Sequence, residues 1–315
     1  MKIILPVAPR LEIDLPEDVE AVVLSETEDV PAEHRDAQAC VLWGMRPTTP
    51  DFVAQLPNVR WFQSLAAGPD GLLNSDLHPD TVVSIGAGFH DRTVAEHTLG
   101  LALALARQFP QSWEDQKAHR WSKLGRPGRL HPGDRVGTTV GSKVVVWGFG
   151  AIGQQIARVF SACGSNVVGV ARSEGERAGF PVVSSDRILE VVADADFLVM
   201  VLPASAETEC ALNAEVLAAL PERAFVVNVG RGSTVDEEAL MTALREGQIA
   251  GAAIDVVRNE PLAEDSPLWD TPNLLITPHN AGGRPEGADE RLNRNLRAWL
   301  AGDIGSMEAV VISPK

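Results

Sequence analysis

Short runs of β-branched and aliphatic residues, each closed by polar or turn-forming residues, recur along most of the chain. In the first hundred positions the runs at 2–5, 21–24, 40–43, 60–64 and 81–84 read as strands. They are apolar at consecutive positions rather than alternate ones, as expected of strands covered on both faces, and the crossovers between them predict a parallel sheet. Residues 93–107, rich in Leu and Ala, predict a long helix. A second series follows, with strands at 143–147, 166–170, 196–202, 224–229, 249–255 and 274–277. A helix is predicted at 151–163, and others fall between most of those strands. Residues 285–301 predict a last helix whose Leu292, Leu296, Trp299 and Leu300 share one face. The expected fold class is α/β, two doubly wound parallel-sheet domains.

Between the two series, residues 108–141 break the pattern. Trp113, Trp121, Pro127, Pro132 and Gly133 mark a linker or arm, and Arg120, Lys123, Arg126, Arg129 and Arg135 make it locally basic. It reads as a solvated loop, or as a segment for subunit contact or anion steering. A length of 315 residues exceeds a usual single core and supports two domains. The net charge of −16 disfavours nucleic acid and anionic membranes as partners, and means that an anionic substrate must be drawn in by local positive groups. Cys40, Cys163 and Cys210 lack metal-ligand spacing, so no metal is expected. They read as reduced, mostly buried thiols of a cytoplasmic protein. The most apolar helical stretch, 98–106, lies between His97 and Arg107 and is half the length of a membrane span. The N-terminal MKIILPVAPR reads as a strand rather than a signal peptide.

The run KVVVWGFGAIGQQIARVF holds Gly148, Gly150 and Gly153 as G-x-G-x-x-G. A lone match is weak, but this one follows an apolar strand and opens a helix at Ala151 and Ile152, with another strand beyond. Gly148 permits a tight turn, Gly150 lets backbone approach a pyrophosphate, and Gly153 allows close helix–strand packing. The helix N-terminus supplies N–H groups to the phosphates. At the end of the next strand, where NAD-binding folds carry an acid, the sequence has Ala171, Arg172 and Ser173. A guanidinium and a hydroxyl suit a 2′-phosphate, so NADP(H) is the expected cofactor, with NAD(H) the alternative because Glu174 is close by.

Three further runs place chemistry at strand ends. FVVNVGRGSTVDEEAL ends a strand at Arg231, between two glycines; AAIDVVRNEPL has Asp255 and then Glu260; LLITPHNAGG has His279 after a proline. Any one alone could be a surface ion pair, a solvated carboxylate or a turn residue. Together they place an arginine, a glutamate and a histidine at three strand ends of one dinucleotide fold, which hydride transfer to a keto acid requires.

On these motifs, with LVMVLPASAET and VAEHTLGLALALAR, the chain resembles the D-isomer-specific 2-hydroxyacid dehydrogenase family over nearly its whole length. The resemblance implies that Arg231 holds the substrate carboxylate and carbonyl and that His279 is the proton donor in reduction. Glu260 would favour the charged form of His279, and Asp255 would help position the nicotinamide. Pro203, Thr208, Val229, Gly230, His279 and Gly282 would line the cofactor beside the glycine loop. In SLAAGPDGL, the N–H groups of Ala67 and Gly68 would bind the substrate carboxylate, with Leu65 and Ala66 shaping the space. The resemblance further implies a discontinuous substrate domain, 1–107 plus 284–315, flavodoxin-like, into which a Rossmann cofactor domain, 108–283, is inserted. The active site would lie in the interdomain cleft, and the protein would be a homodimer with the arm at its interface.

Formate dehydrogenases resemble this pattern but carry Gln at the place of Glu260, which disfavours formate. The chain is expected to lack the regulatory domain common in serine-pathway phosphoglycerate dehydrogenases, leaving the short type of that enzyme as an alternative. NADP(H) points instead to a reductase of glyoxylate, hydroxypyruvate or a related 2-oxo acid. A non-enzymatic rival is a dinucleotide-sensing corepressor-like protein, disfavoured because no long disordered flank with interaction motifs is present.

Overall fold

The structure is a computed structural model and describes residues 1–44, 48–121 and 135–313. The chain divides into two compact units, Met1–His90 with Arg284–Lys315, and Asp91–Gly283. In the first unit β1 (Lys2–Pro6), β2 (Glu20–Leu24), β3 (Ala39–Leu42), β4 (Trp61–Ser64) and β5 (Val82–Ser84) lie parallel in the order β5-β4-β3-β1-β2. Consecutive residues of one strand enter different cores. Ile3, Val41, Trp61 and Val82 pack with Leu292 and Leu296 of the C-terminal helix Ala288–Leu300. Ile4, Cys40, Leu42 and Val83 pack with Phe52 of α1 (Thr49–Ala54) and Leu72 of α2 (Asp70–Leu73). A sheet buried on both faces needs unbroken apolar runs, which is why these strands show no alternation.

Val310–Ile312 adds an antiparallel edge to β5. Three residues at an edge carry too little periodicity to be read from sequence. A buried polar link anchors this edge: Asn295 donates to Gln63 Oε1 and to the Glu308 carbonyl, each at 3.1 Å, and accepts from Glu308 N at 2.8 Å. Leu292, Leu296 and Trp299 face the core as expected, but Leu300 is 40% exposed and lies off that face.

The second unit holds β6 (Lys143–Trp147), β7 (Asn166–Ala171), β8 (Gly175–Arg177), β9 (Phe180–Ser184), β10 (Phe197–Met200), β11 (Phe225–Asn228), β12 (Gly251–Ile254) and β13 (Leu274–Ile276). Their order is β13-β12-β11-β10-β6-β7-β9-β8, with every strand but β8 parallel to its neighbours. The order reverses between β6 and β10, the switch point outside which such sheets bind ligands. Val145, Leu198 and Val226 enter one core, and Val144, Val199 and Val227 the other.

The sequence placed the first domain boundary at residue 107. The helix α3 (Asp91–Ala106) nevertheless packs with the second unit. Its Val94, Leu101, Ala102 and Ala106 share a core with Ile156, Ala157 and Phe160 of α5 (Ala151–Ala162), so burial assigns the helix where the break in periodicity could not. Within the arm, α4 (Phe109–Lys117) is helical, and Arg120 pairs with Asp115 at 2.7 Å, which leaves less positive charge than the sequence suggests. Lys123, Arg126, Pro127, Arg129, Pro132 and Gly133 lie outside the described residues. Helices α6 (Ile188–Val192), α7 (Ala214–Ala219) and α8 (Glu237–Arg245) complete the unit. Asn213 caps α7 and Asp236 caps α8 through their side chains.

The β8–β9 hairpin was not expected, because Gly-Glu-Arg reads as a loop. Its turn, Ala178-Gly179, has φ of 53° and 82°, as a two-residue hairpin turn requires. The thiols also differ from expectation. All three are free, but only Cys40 is buried, and burial raises its pKa well above the usual thiol range. No helix among the described residues is long and apolar enough to cross a membrane.

Candidate active site

All of the candidate catalytic side chains leave the carboxyl ends of adjacent parallel strands, so they emerge on one edge of the second sheet. The glycine loop joins β6 to α5 on the same edge. Gly148 has φ 104°, and a Cβ there would lie 2.5 Å from the Val201 carbonyl oxygen. A Cβ on Gly153 would lie 2.1 Å from the Gly148 carbonyl oxygen, so only hydrogen fits between helix and loop. Gly150 differs: a Cβ there meets no protein atom within 4 Å. Gly150 is also the N-cap of α5 and offers no side-chain cap, so the first N–H groups of α5, at Ala151 and Ile152, have no such acceptor. Open space at the uncapped end of a helix fits the pyrophosphate of a dinucleotide.

These two glycines predict opposite outcomes. Gly153→Ala is expected to lower stability by about 1–3 kcal/mol through overpacking. Gly150→Ala is expected to leave the melting temperature of the cofactor-free protein unchanged while weakening dinucleotide binding. Thermal melts with and without dinucleotide check both.

At the end of β7, Ala171 is followed by the exposed Arg172 and Ser173. Arg172 also acts on Glu207, whose carboxyl is held below the usual range by hydrogen bonds from Ser205 and its own backbone, with the Arg172 charge contributing. A second guanidinium that sequence reasoning missed reaches this place: Arg177 of β8 donates to Ser173 at 3.0 Å to the carbonyl and 2.6 Å to Oγ. It was hidden because its approach depends on the hairpin. Across the loop, the Thr208 hydroxyl donates to the Pro203 carbonyl at 2.6 Å and accepts from Ser205 N at 2.9 Å, closing the turn after β10.

Arg231 stands in a turn held from below. Asn228, fully buried at the end of β11, accepts from Gly230 N at 3.0 Å and donates to the Arg231 carbonyl at 3.1 Å. Thr234 Oγ1 donates to that same carbonyl at 2.6 Å. A Cβ on Gly230 would lie 2.6 Å from the Leu202 carbonyl oxygen, and one on Gly232 2.0 Å from the Val257 carbonyl. The glycines beside Arg231 therefore let its turn press against the loops after β10 and β12. Val229, just before it, is buried with the sheet.

The loop after β12 carries Glu260, and the turn after β13 carries His279. Their side chains meet at 2.6 Å, His279 Nδ1 to Glu260 Oε2. Glu260 Oε1 accepts from Val257 N at 3.2 Å. Burial opposes ionisation of Glu260, but the hydrogen bond and charge of His279, the Val257 N–H and the Arg231 charge together outweigh it and hold the carboxyl below its ordinary range. An ionised carboxylate can only accept, so Nδ1 carries the proton of this bond, leaving Nε2 for a substrate. His279 has φ 51°, unusual for a residue other than glycine. Asp255, 1% exposed, binds the turn that imposes it. Its carbonyl accepts from His279 N at 2.7 Å, and its carboxylate accepts from Asn280 N and Ala281 N at 3.1 and 3.0 Å. Gly282 continues this turn, and its carbonyl accepts from Thr93 Oγ1 at 2.6 Å.

In the first unit, the loop after β4 lies on its own strand-end edge. Leu65 and Ala66 are 0% and 1% exposed, so Leu65 packs in the core and neither shapes an open space as expected. Ala67 and Gly68 are partly exposed, and among the described residues their N–H groups have no protein acceptor. His90 Nε2 lies 2.8 Å from the Leu65 carbonyl and steadies the start of this loop.

A dinucleotide-binding loop with Arg, Glu and His at neighbouring strand ends defines an oxidoreductase of the nicotinamide-dependent kind. Residues 99–281 match the family model described as D-isomer specific 2-hydroxyacid dehydrogenase, NAD binding domain, and the chain belongs to that family, whose members act on CH–OH donors. It is 31% identical over 305 residues to a glyoxylate reductase of Thermococcus kodakarensis, covering 92% of this chain and 90% of that one. It is 29% identical over 302 residues to a D-3-phosphoglycerate dehydrogenase of Methanocaldococcus jannaschii; the match takes in 92% of this chain but only 56% of that longer relative. An NADPH-dependent glyoxylate/hydroxypyruvate reductase of Sinorhizobium meliloti, solved with NADP and malonate, superimposes with a TM-score of 0.75 at 28% identity, over 99% of this chain and 97% of that one.

Proposed function

We propose that the protein reduces a small 2-oxo acid of the glyoxylate or hydroxypyruvate kind to a D-2-hydroxy acid, with NADP(H) preferred over NAD(H). The observation that carries this reading is the His279–Glu260 pair at 2.6 Å with Arg231 acting on the same carboxylate. The bound dinucleotide supplies the hydride. Arg231 receives the carboxylate and carbonyl of the substrate in its planar fork, fixing the acid and offsetting its charge. Negative charge building on the carbonyl oxygen is met by the proton on His279 Nε2, while Glu260 stabilises the charged ring from the other side.

The cofactor preference rests on Arg172, Ser173 and Arg177 and on the missing acid at Ala171. The test is a steady-state panel of glyoxylate, hydroxypyruvate, pyruvate, phenylpyruvate, 2-oxoisocaproate and 3-phosphohydroxypyruvate with each cofactor. Higher kcat/KM with NADPH on the smallest acids is expected, and preferred use of NADH would overturn the cofactor assignment. Arg172→Ala is expected to cost about 1.5–3 kcal/mol in NADPH binding, the value of a charged hydrogen bond, and to leave NADH nearly unaffected. A maximum on 3-phosphohydroxypyruvate would favour a short phosphoglycerate dehydrogenase instead. Tight NADPH binding without turnover of any acid would favour a dinucleotide-sensing corepressor-like role.

A further inference from the structure

The stretch VAEHTLGLALALAR forms most of α3, an apolar helix that carries none of the Arg, Glu and His groups of the site. One of its polar residues reaches the buried base of the site. His97 Nε2 lies 3.1 Å from Thr277 Oγ1 and 3.3 Å from Asp255 Oδ1. The Thr277 hydroxyl in turn lies 2.6 Å from Asp255 Oδ1. Asp255 already accepts backbone N–H groups on both carboxylate oxygens, so the Thr277 proton points to it. The Thr277 oxygen is then left to accept, and the only donor His97 can present at that contact is an Nε2–H. His97, Thr277 and Asp255 thus form one directed chain ending on the residue that binds three successive N–H groups of the His279 turn.

We propose that His97 is a positioning residue: its Nε2–H orients Thr277 and Asp255, and through them holds His279 in its left-handed backbone with Nε2 free for the substrate. A left-handed backbone is strained for a residue other than glycine, so it persists only where neighbours over-determine it. Asp255 is that neighbour, and being 1% exposed it cannot recruit water to keep its carboxylate in register. Rotation of the carboxylate would release Asn280 N and Ala281 N together and let the turn relax. The inference rests on His279 being the proton donor, but its structural half can be read without turnover.

The experiment combines His97→Phe, which keeps a flat ring without the donor, with His97→Gln, whose amide nitrogen reaches the place of Nε2. In cofactor-free protein, amide exchange at Asn280 and Ala281 is expected to speed up in His97→Phe and to return towards normal in His97→Gln. In turnover with glyoxylate and NADPH, His97→Phe should lose about tenfold in kcat with little change in KM, and His97→Gln should recover most of it. Normal exchange and kcat in His97→Phe would overturn the proposal. So would equal impairment of both variants, since loss of shape alone would then explain the effect. If His97→Phe does not fold, Thr277→Val cuts the same chain at its middle, and unchanged exchange at Asn280 and Ala281 there also rules it out. Near-normal turnover in His279→Ala would instead count against the proton-donor reading, leaving the exchange result to stand by itself.

Discussion

His279→Ala is expected to lower kcat for reduction by about 10²–10⁴-fold, the usual worth of a positioned general acid. NADPH affinity should stay nearly unchanged, because the glycine loop carries the pyrophosphate and the His279 ring is held by Glu260. Stopped-flow turnover and a fluorescence titration of NADPH separate the two. The pH profile adds a sign. Since the Glu260 carboxyl lies below its ordinary value of 4.5 in the folded protein, the ion pair's stabilisation is present above that value and is lost as pH falls through the lowered one. Glu260→Gln removes the charged acceptor facing Nδ1 and should lower kcat for reduction by about tenfold at neutral pH. An unchanged kcat would mean that Glu260 only packs against the ring.

The second large effect is expected at Arg231. Arg231→Gln removes a bidentate, charged donor from the substrate carboxylate and should cost about 3 kcal/mol in kcat/KM, roughly a hundredfold. Arg231→Lys should recover little, because a point charge cannot reproduce the fork. The fold should survive both changes. The turn is held mainly by main-chain bonds to the Asn228 and Thr234 side chains and by close packing at Gly230 and Gly232, and the Arg231 side chain adds one bond to it, Nη1 to the Gly230 carbonyl at 2.8 Å. Melting temperatures close to wild type, together with the kinetic loss, are the expected pair of results. A parallel loss of stability would make Arg231 a structural residue instead.

Much of the candidate site is legible in the sequence, for a definite reason. Hydrophobic runs with turn residues at their ends mark parallel strands, and chemistry placed just past those ends falls on one edge of the sheet. Gly148, Gly150 and Gly153 were readable because their spacing couples a strand to a helix. Arg231, Glu260 and His279 were readable because each follows such a strand. What was not legible depended on approach through space. Arg177 reaches Ser173 only across a hairpin whose strands look like a loop. His97 belongs to an apolar helix whose sequence gives no sign that one polar position meets Thr277.

The sequence by itself determined the doubly wound architecture, the family and the strand ends that bear the candidate groups, since these follow from local periodicity and short motifs. Only the tertiary structure decided that Leu65 is core, that α3 belongs with the second unit, and that Asp255 binds the left-handed His279 turn. Burial and hydrogen-bond partnership are set by residues far apart in the chain, and for Asp255 they run from His97 to Ala281. No local pattern encodes such a meeting, because each partner in isolation satisfies its own segment equally well.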